Sequence, residues 1–196
     1  MDNKGPTWLP LVSESSSEEI VTIHNKIPDL SWAGEKLQQP WIERLIRGAL
    51  PYKTRPRLTP RMPSFPAFSK GLSIGMLQQH GIGESASEER VRDTSLNQLG
   101  KGLVGSQQLG CIQCHPIGGS AALAGPDTET IDLQYVGDRL RREFFQRILR
   151  DPSRVIPGTM MPSFMDDTGR STLQSILGGD GDKQGQAIWE YIQSLD

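Results

Sequence analysis

Apolar positions recur at the three-to-four-residue spacing of amphipathic helices along most of this chain. Trp41, Ile42, Leu45 and Ile46 mark one helix within Pro40 to Leu50, with Pro40 at its start, and Phe68, Leu72, Met76 and Leu77 mark a second within Pro66 to Gln79. Further on, Leu96, Leu99, Leu103 and Val104 follow Ser95, a residue type suited to capping a helix. Leu140, Phe144, Phe145, Ile148 and Leu149 define a helix closed by Asp151-Pro152, and Leu173, Ile176 and Leu177 a short one stopped by Gly178-Gly179. The last carries Ile188, Trp189, Ile192 and Leu195, with Asp182 as its cap. Two polar runs interrupt the pattern, Ser13 to Glu19 and Ile82 to Thr94, and both read as loop or linker. The expected fold class is all-α.

The pattern also occurs twice. Asp29-Leu30-Ser31-Trp32-Ala33-Gly34-Glu35-Lys36-Leu37 aligns with Asp132-Leu133-Gln134-Tyr135-Val136-Gly137-Asp138-Arg139-Leu140, and Trp41-Ile42-Glu43-Arg44-Leu45-Ile46-Arg47 with Phe144-Phe145-Gln146-Arg147-Ile148-Leu149-Arg150. Arg61-Met62-Pro63-Ser64-Phe65 then answers Met160-Met161-Pro162-Ser163-Phe164. The offset moves from 103 to 99, as a four-residue difference in one loop requires. This predicts two modules, residues 1–81 and 95–196, joined by a linker at 82–94.

Residues 111–115 read Cys-Ile-Gln-Cys-His and use both cysteines of the chain. Groups three and four residues apart share one face of a helical turn. In that arrangement Cys111 and Cys114 form thioethers to the two vinyl groups of a haem, and His115 reaches its iron. Other chemistry uses the same residues. A redox dithiol of the thioredoxin type sits beside a βαβ pattern, whereas these flanks read as helix and loop. Zinc takes about four ligands; the chain holds two Cys and three His, and the adjacent Cys114 and His115 would have to share the ion. Haem attachment is the reading carried forward, with zinc, disulfide and redox-thiol chemistry as alternatives.

With Gly125-Pro126-Asp127 and the run Pro157-Gly158-Thr159-Met160-Met161-Pro162-Ser163-Phe164, this pentapeptide is where the chain resembles the class I cytochrome c family. The likeness is to single-haem modules with a Gly-Pro-Asp segment, an Arg-rich helix and a Gly-Thr-x-Met-Pro-x-Phe loop. It implies a cytochrome c-like helical fold with one haem c, covalent through Cys111 and Cys114 and ligated by His115 and, from the far side, Met161. Met160 is the second choice, and core filling is the ordinary role of either methionine. The resemblance gives the backbone carbonyl of Pro126 the task of accepting the other ring N–H of His115. It also implies that the first and last helices cross, with Gly102 or Gly105 opposite Trp189 or Tyr191. The first copy then resembles the distal part of a second module, with Met62 where the later copy has Met161. Its attachment segment is missing: the equivalent position falls near Leu9 to Val12, where there is no cysteine. Only the C-terminal module is expected to carry haem. A relic module would pack Met62 against Trp41 or Phe65 and lay Trp8 to Ile27 across the vacant face; a truncated one would leave Met62 exposed.

Composition refines this picture. At 35% hydrophobic with Gly 21 and Pro 14, the chain is loop-rich, as suits a protein whose cofactor supplies part of the core. A net charge of -2 argues against a nucleic-acid partner. No run of about 18 apolar residues exists, so no membrane span is expected. Arg139, Arg141, Arg142, Arg147, Arg150 and Arg154 read as a solvated face or, functionally, as partners of haem propionates or a docking rim. His24 and His80 read as ordinary surface or turn histidines. The start of the chain has neither a basic run nor an apolar stretch, so it is not a secretory leader. Since the family attaches haem outside the cytoplasm, the expectation is a periplasmic or otherwise extracytoplasmic protein in fragment or matured form. The expected function is single-electron transfer between redox partner proteins, alone or as part of a larger oxidoreductase, because iron ligated on both faces leaves no position for substrate. The alternatives are a haem sensor or haem enzyme in which Met161 is displaced, and a scaffold whose first module is a docking surface.

Overall fold

The structure, a computed structural model, describes residue 30 and residues 32–54, 62–84, 93–125 and 130–195. Among these there are eight α-helices and no sheet, only isolated bridges between single residues. The protein is all-α. In chain order the helices are α1 (Ala33–Lys36), α2 (Gln39–Arg47), α3 (Ser69–Gln78), α4 (Thr94–Val104), α5 (Val136–Arg139), α6 (Arg142–Arg150), α7 (Pro152–Val155) and α8 (Gly181–Gln193). Among the described residues, no helix is long and apolar enough to cross a membrane.

Local chemistry sets the helix ends. Pro40 sits in the first turn of α2, where its missing N–H costs nothing, and Gly48, at φ 75, ends the helix in a left-handed conformation. The cap of α4 is Asp93, not the expected Ser95: its carboxylate accepts the N–H groups of Ser95 (2.9 Å) and Leu96 (3.1 Å). Likewise Asp180, not Asp182, caps α8 by accepting the N–H of Lys183 at 3.0 Å. Asp182 lies in the first turn and takes Arg150 instead. Side-chain carboxylates in both places satisfy N–H groups that no helical carbonyl reaches.

Two apolar clusters form, one for each copy of the repeat. Trp41, Ile42, Ile46 and Leu77 lead the first, and Leu103, Phe145, Leu149, Ile188, Trp189 and Ile192 the second; Leu140 packs against both. The paired helices match: α1 and α5 have four residues, α2 and α6 nine, each pair offset by 103. In the first copy α1 and α2 pack on α3, and in the second α5 and α6 pack on α8. By these contacts the counterpart of α3 is the terminal helix; the spacing also predicts a short helix over Leu173 to Leu177. No helix forms there. Residues 177–179 make a 3-10 turn with Leu177 at φ 50 and Gly178 at φ 65, and buried Gln184 of α8 donates its side-chain amide to the carbonyls of Leu173 (3.0 Å) and Ile176 (2.7 Å).

The most extensive helix contact is α4 crossing α8, the first and last helices of the second copy. Closest approach falls at Gly100, where a Cβ would overlap the Ala187 carbonyl, rather than at Gly102 or Gly105. Met62 is 52% exposed and does not pack into the first cluster, contrary to the packing expected of a relic. Trp8 to Ile27 lie outside the described residues, as do His24 and most of the 82–94 linker. His80 follows the end of α3 and stacks on Trp32 at 6.0 Å.

Candidate functional site

A chain reversal after α4 delivers the Cys-x-x-Cys-His segment. Gly110, at φ 67, turns the backbone through the left-handed region that favours glycine, and its N–H returns to the Gly105 carbonyl at 3.0 Å. Residues Cys111–Gln113 then form a 3-10 turn, with the N–H groups of Cys114 (3.2 Å) and His115 (2.9 Å) both donating to the Cys111 carbonyl. All three reactive side chains thus issue from one turn. Both cysteines are free thiols. Cys111 packs against the second apolar cluster, and burial pushes its thiol up to about 11, so it is protonated at neutral pH.

His115 is held from behind. Its Nδ1 lies 2.9 Å from the Ile131 carbonyl and 2.8 Å from Thr130 Oγ1. A carbonyl only accepts, so Nδ1 carries the proton and Nε2 keeps its lone pair. Burial lowers the His115 pKa, against the opposing pull of the Ile131 hydrogen bond and the Asp132 charge. The imidazole is neutral and oriented, with Nε2 free of the proton. The acceptor segment is itself fastened: the N–H and hydroxyl of Thr130 both donate to the Cys114 carbonyl (2.9 and 3.0 Å), and the Leu133 N–H donates to the Pro116 carbonyl at 2.9 Å. Asp132 accepts N–H bonds from Gly118, Gly119 and Gln134.

Ile131 and Thr130 are the residues that sequence reasoning missed. No residue type marks them in advance, because the principal Nδ1 acceptor is a backbone carbonyl. The resemblance had given this role to Pro126, which lies outside the described residues; the Nδ1 acceptor among the described residues is Ile131.

The methionine loop separates its two candidates. Gly158 at φ 78 makes the turn, and the Met161 N–H donates to Thr159 Oγ1 at 3.2 Å. Met161 and Phe164 then pack on the same cluster as Cys111, while Met160 is 79% exposed. The arginines are mostly engaged within the chain: Arg147 with Glu35 (2.6 Å), Arg150 with Asp182 (2.5 Å), and Arg139 over the Trp41 ring at 5.0 Å. These contacts favour a structural role over a free docking rim.

No family model, curated protein or solved structure matches the chain. The site rests on its own chemistry. Among the described residues no three His, Cys, Asp or Glu side chains gather as a cation site, at the pentapeptide or elsewhere. Beside it, a cleft of about 410 Å³ opens between Tyr52–Thr54 and Thr130–Asp132, with Tyr52 stacked on Tyr135 at 3.6 Å and accepting the Trp41 indole N–H at 2.7 Å.

Proposed function

We propose that the C-terminal part of the chain, residues 95–196, holds one haem c and serves as a single-electron carrier. The observation that carries this reading is the turn at 111–115: two thiols and a neutral imidazole leave one backbone turn, and a fixed backbone carbonyl takes Nδ1 of the imidazole. The donor set fits the group. Cys111 and Cys114 would hold it covalently, His115 would be its proximal ligand through Nε2, and Met161 the distal one. Bound there, such a group supplies reversible one-electron oxidation and reduction, at a potential that a methionine ligand raises.

The protein's own contribution is placement and exclusion. The Ile131 carbonyl orients the imidazole and increases its basicity through Nδ1–H. Cys111 and Met161 pack against one apolar cluster that includes Phe145, Leu149 and Ile188, which would give the group an apolar flank, and the Thr159 hydroxyl steadies the backbone of Met161. With His115 and Met161 both holding the group, no position would remain for a substrate, which favours electron transfer over catalysis. Its partners are redox proteins outside the cytoplasm, where such attachment takes place in the family it resembles.

Expression in cells able to attach haem, followed by intact-mass measurement, tests the reading: the expected mass is the polypeptide plus one haem, lost from Cys111→Ala/Cys114→Ala. Met161→Ala should abolish the long-wavelength thioether-to-iron band of the oxidised protein and lower its potential, and Met160→Ala should leave both unchanged. A wild-type chain with the mass of the bare polypeptide would falsify the assignment. Rapid binding of carbon monoxide by the reduced wild type would turn the reading toward a sensor with a displaceable Met161.

A further inference from the structure

The two copies of the repeat are docked on each other, and the contacts come in mirrored pairs. Leu37 bridges Leu140, 103 residues away, with Gln38 N–H donating to the Arg139 carbonyl (2.9 Å) and Arg141 N–H to the Lys36 carbonyl (3.0 Å). Exchanging each residue for its counterpart in the other copy turns one of these hydrogen bonds into the other. The ion pairs obey the same rule. Glu35 pairs with Arg147 at 2.6 Å, and Asp138, the counterpart of Glu35, pairs with Arg44, the counterpart of Arg147. So do the cation–ring contacts: Lys36 lies 5.3 Å from the Phe144 ring and Arg139 lies 5.0 Å from the Trp41 ring. At helix level, α1 touches α6 and α5 touches α2. Gln38 departs from the symmetry, because Arg stands at its counterpart position, 141.

An interface in which i meets j and j meets i is isologous, the form that joins two identical subunits about a twofold axis. The repeat has kept the chemistry that self-pairing needs. Each copy carries an acid, a cation and a leucine in succession (35–37 and 138–140), an aromatic ring at 41 or 144, and an arginine at 44 or 147. Set against a second copy of itself, the α5–α6 face would pair Asp138 with Arg147 and Arg139 with Phe144, each twice, and Leu140 with Leu140 once, on the axis. We infer that this face is a twofold docking surface for a second copy of the same unit, and that the first repeat is its tethered occupant within the single chain. The inference does not depend on haem, since none of these contacts involves Cys111, His115 or Met161.

The tether decides which pairing wins. A short linker holds the first repeat at an effective concentration of about millimolar, above that of any second molecule in dilute solution, so the chain closes on itself. Charge reversal within one copy removes that advantage without harming self-pairing. In Glu35→Arg/Arg44→Glu both cross-copy ion pairs become like-charge contacts, while pairing between two first repeats or two second repeats keeps opposite charges. Sedimentation of the full chain over a range of concentrations gives the test. The wild type should be monomeric, and the double variant should form a discrete dimer with an association constant raised about ten-fold or more, since every 1.4 kcal/mol is worth a factor of ten. By symmetry Asp138→Arg/Arg147→Glu should do the same, which also serves if the first pair fails to fold. The quadruple variant restores both cross-copy pairs with reversed sign and should return to monomer. A monomeric or non-specifically aggregated pair of double variants, a quadruple variant that stays associated, or a wild type that dimerises equally well would overturn the inference.

Discussion

His115 shows how a site can depend on an atom without a side-chain signature. Its Nδ1 acceptor is the carbonyl of Ile131, a group every residue type possesses, so composition and motif leave it unmarked. Thr130 adds a second oxygen at 2.8 Å, and because its hydroxyl hydrogen goes to the Cys114 carbonyl, its lone pair is available to the same N–H. If His115 holds iron as proposed, removing that oxygen would make the imidazole a poorer donor to the ferric state and so favour the reduced one. In the haem protein proposed above, Thr130→Val should therefore raise the reduction potential by up to about 60 mV, one net hydrogen bond of roughly 0.5 to 1.5 kcal/mol expressed for one electron. Redox titration of the two proteins checks this, and equal potentials would remove Thr130 from the ligand's support. The choice between Met160 and Met161 has the same character. Adjacent identical residues carry no difference in type, and only the apolar cluster under Met161 distinguishes them.

Among the elements, the longer helices were legible because each carries its own apolar stripe: α2, α3, α4, α6 and α8 all coincide, to within a residue or two at their starts, with segments that the spacing predicts. The contact between α4 and α8 was legible in kind but not in position. Three glycines lie in and just after α4, and which of them meets α8 depends on the rotation of both helices about their axes. Gly100→Ala should therefore destabilise the fold by about 1 to 3 kcal/mol through overpacking against the Ala187 carbonyl, although alanine is the better helix former. Gly102→Ala has only the Gln108 side chain nearby, at 3.7 Å, and should stabilise by about 0.5 to 1 kcal/mol through backbone propensity alone. Thermal and denaturant unfolding of the pair decides the matter; equal effects would mean that α4 does not approach α8 at Gly100. The failure at Leu173 to Leu177 has a complementary cause. Helical spacing is present, yet Leu177, Gly178 and Gly179 all take positive φ, and Gln184, from another element, holds the Leu173 and Ile176 carbonyls in the resulting turn.

Across the whole molecule, one glutamine stitches the two apolar clusters together. Gln38 donates its side-chain amide to the carbonyls of Gly137 (2.8 Å) and Leu140 (2.9 Å), and the Gly137 carbonyl also accepts from Gln193 of α8. With Gln38→Ala, the Leu140 carbonyl loses this donor at a buried junction, which should cost about 1 to 3 kcal/mol. Equilibrium denaturation followed at several wavelengths should show the loss and, because the clusters meet here, a tendency of the single transition to split in two. An unchanged midpoint would place the coupling in the ion pairs and the Leu37–Leu140 bridge instead.

Spacing along the chain by itself determined the all-α class, the positions of the longer helices, the duplication at an offset of 103, and the thiol–thiol–imidazole turn at 111–115. Each of these is a relation between residues within a few turns of one another, or between two copies of one pattern, and the same local sterics and hydrogen bonding act wherever the segment lies. Only the tertiary structure decided that Ile131 supports His115, that Met161 and not Met160 packs into the core, that α8 is the counterpart of α3, and that the two copies face each other across a twofold contact. Those choices turn on backbone carbonyls, on the rotation of one helix against another, and on charge pairs about 100 residues apart in the chain, which packing alone brings within bonding distance.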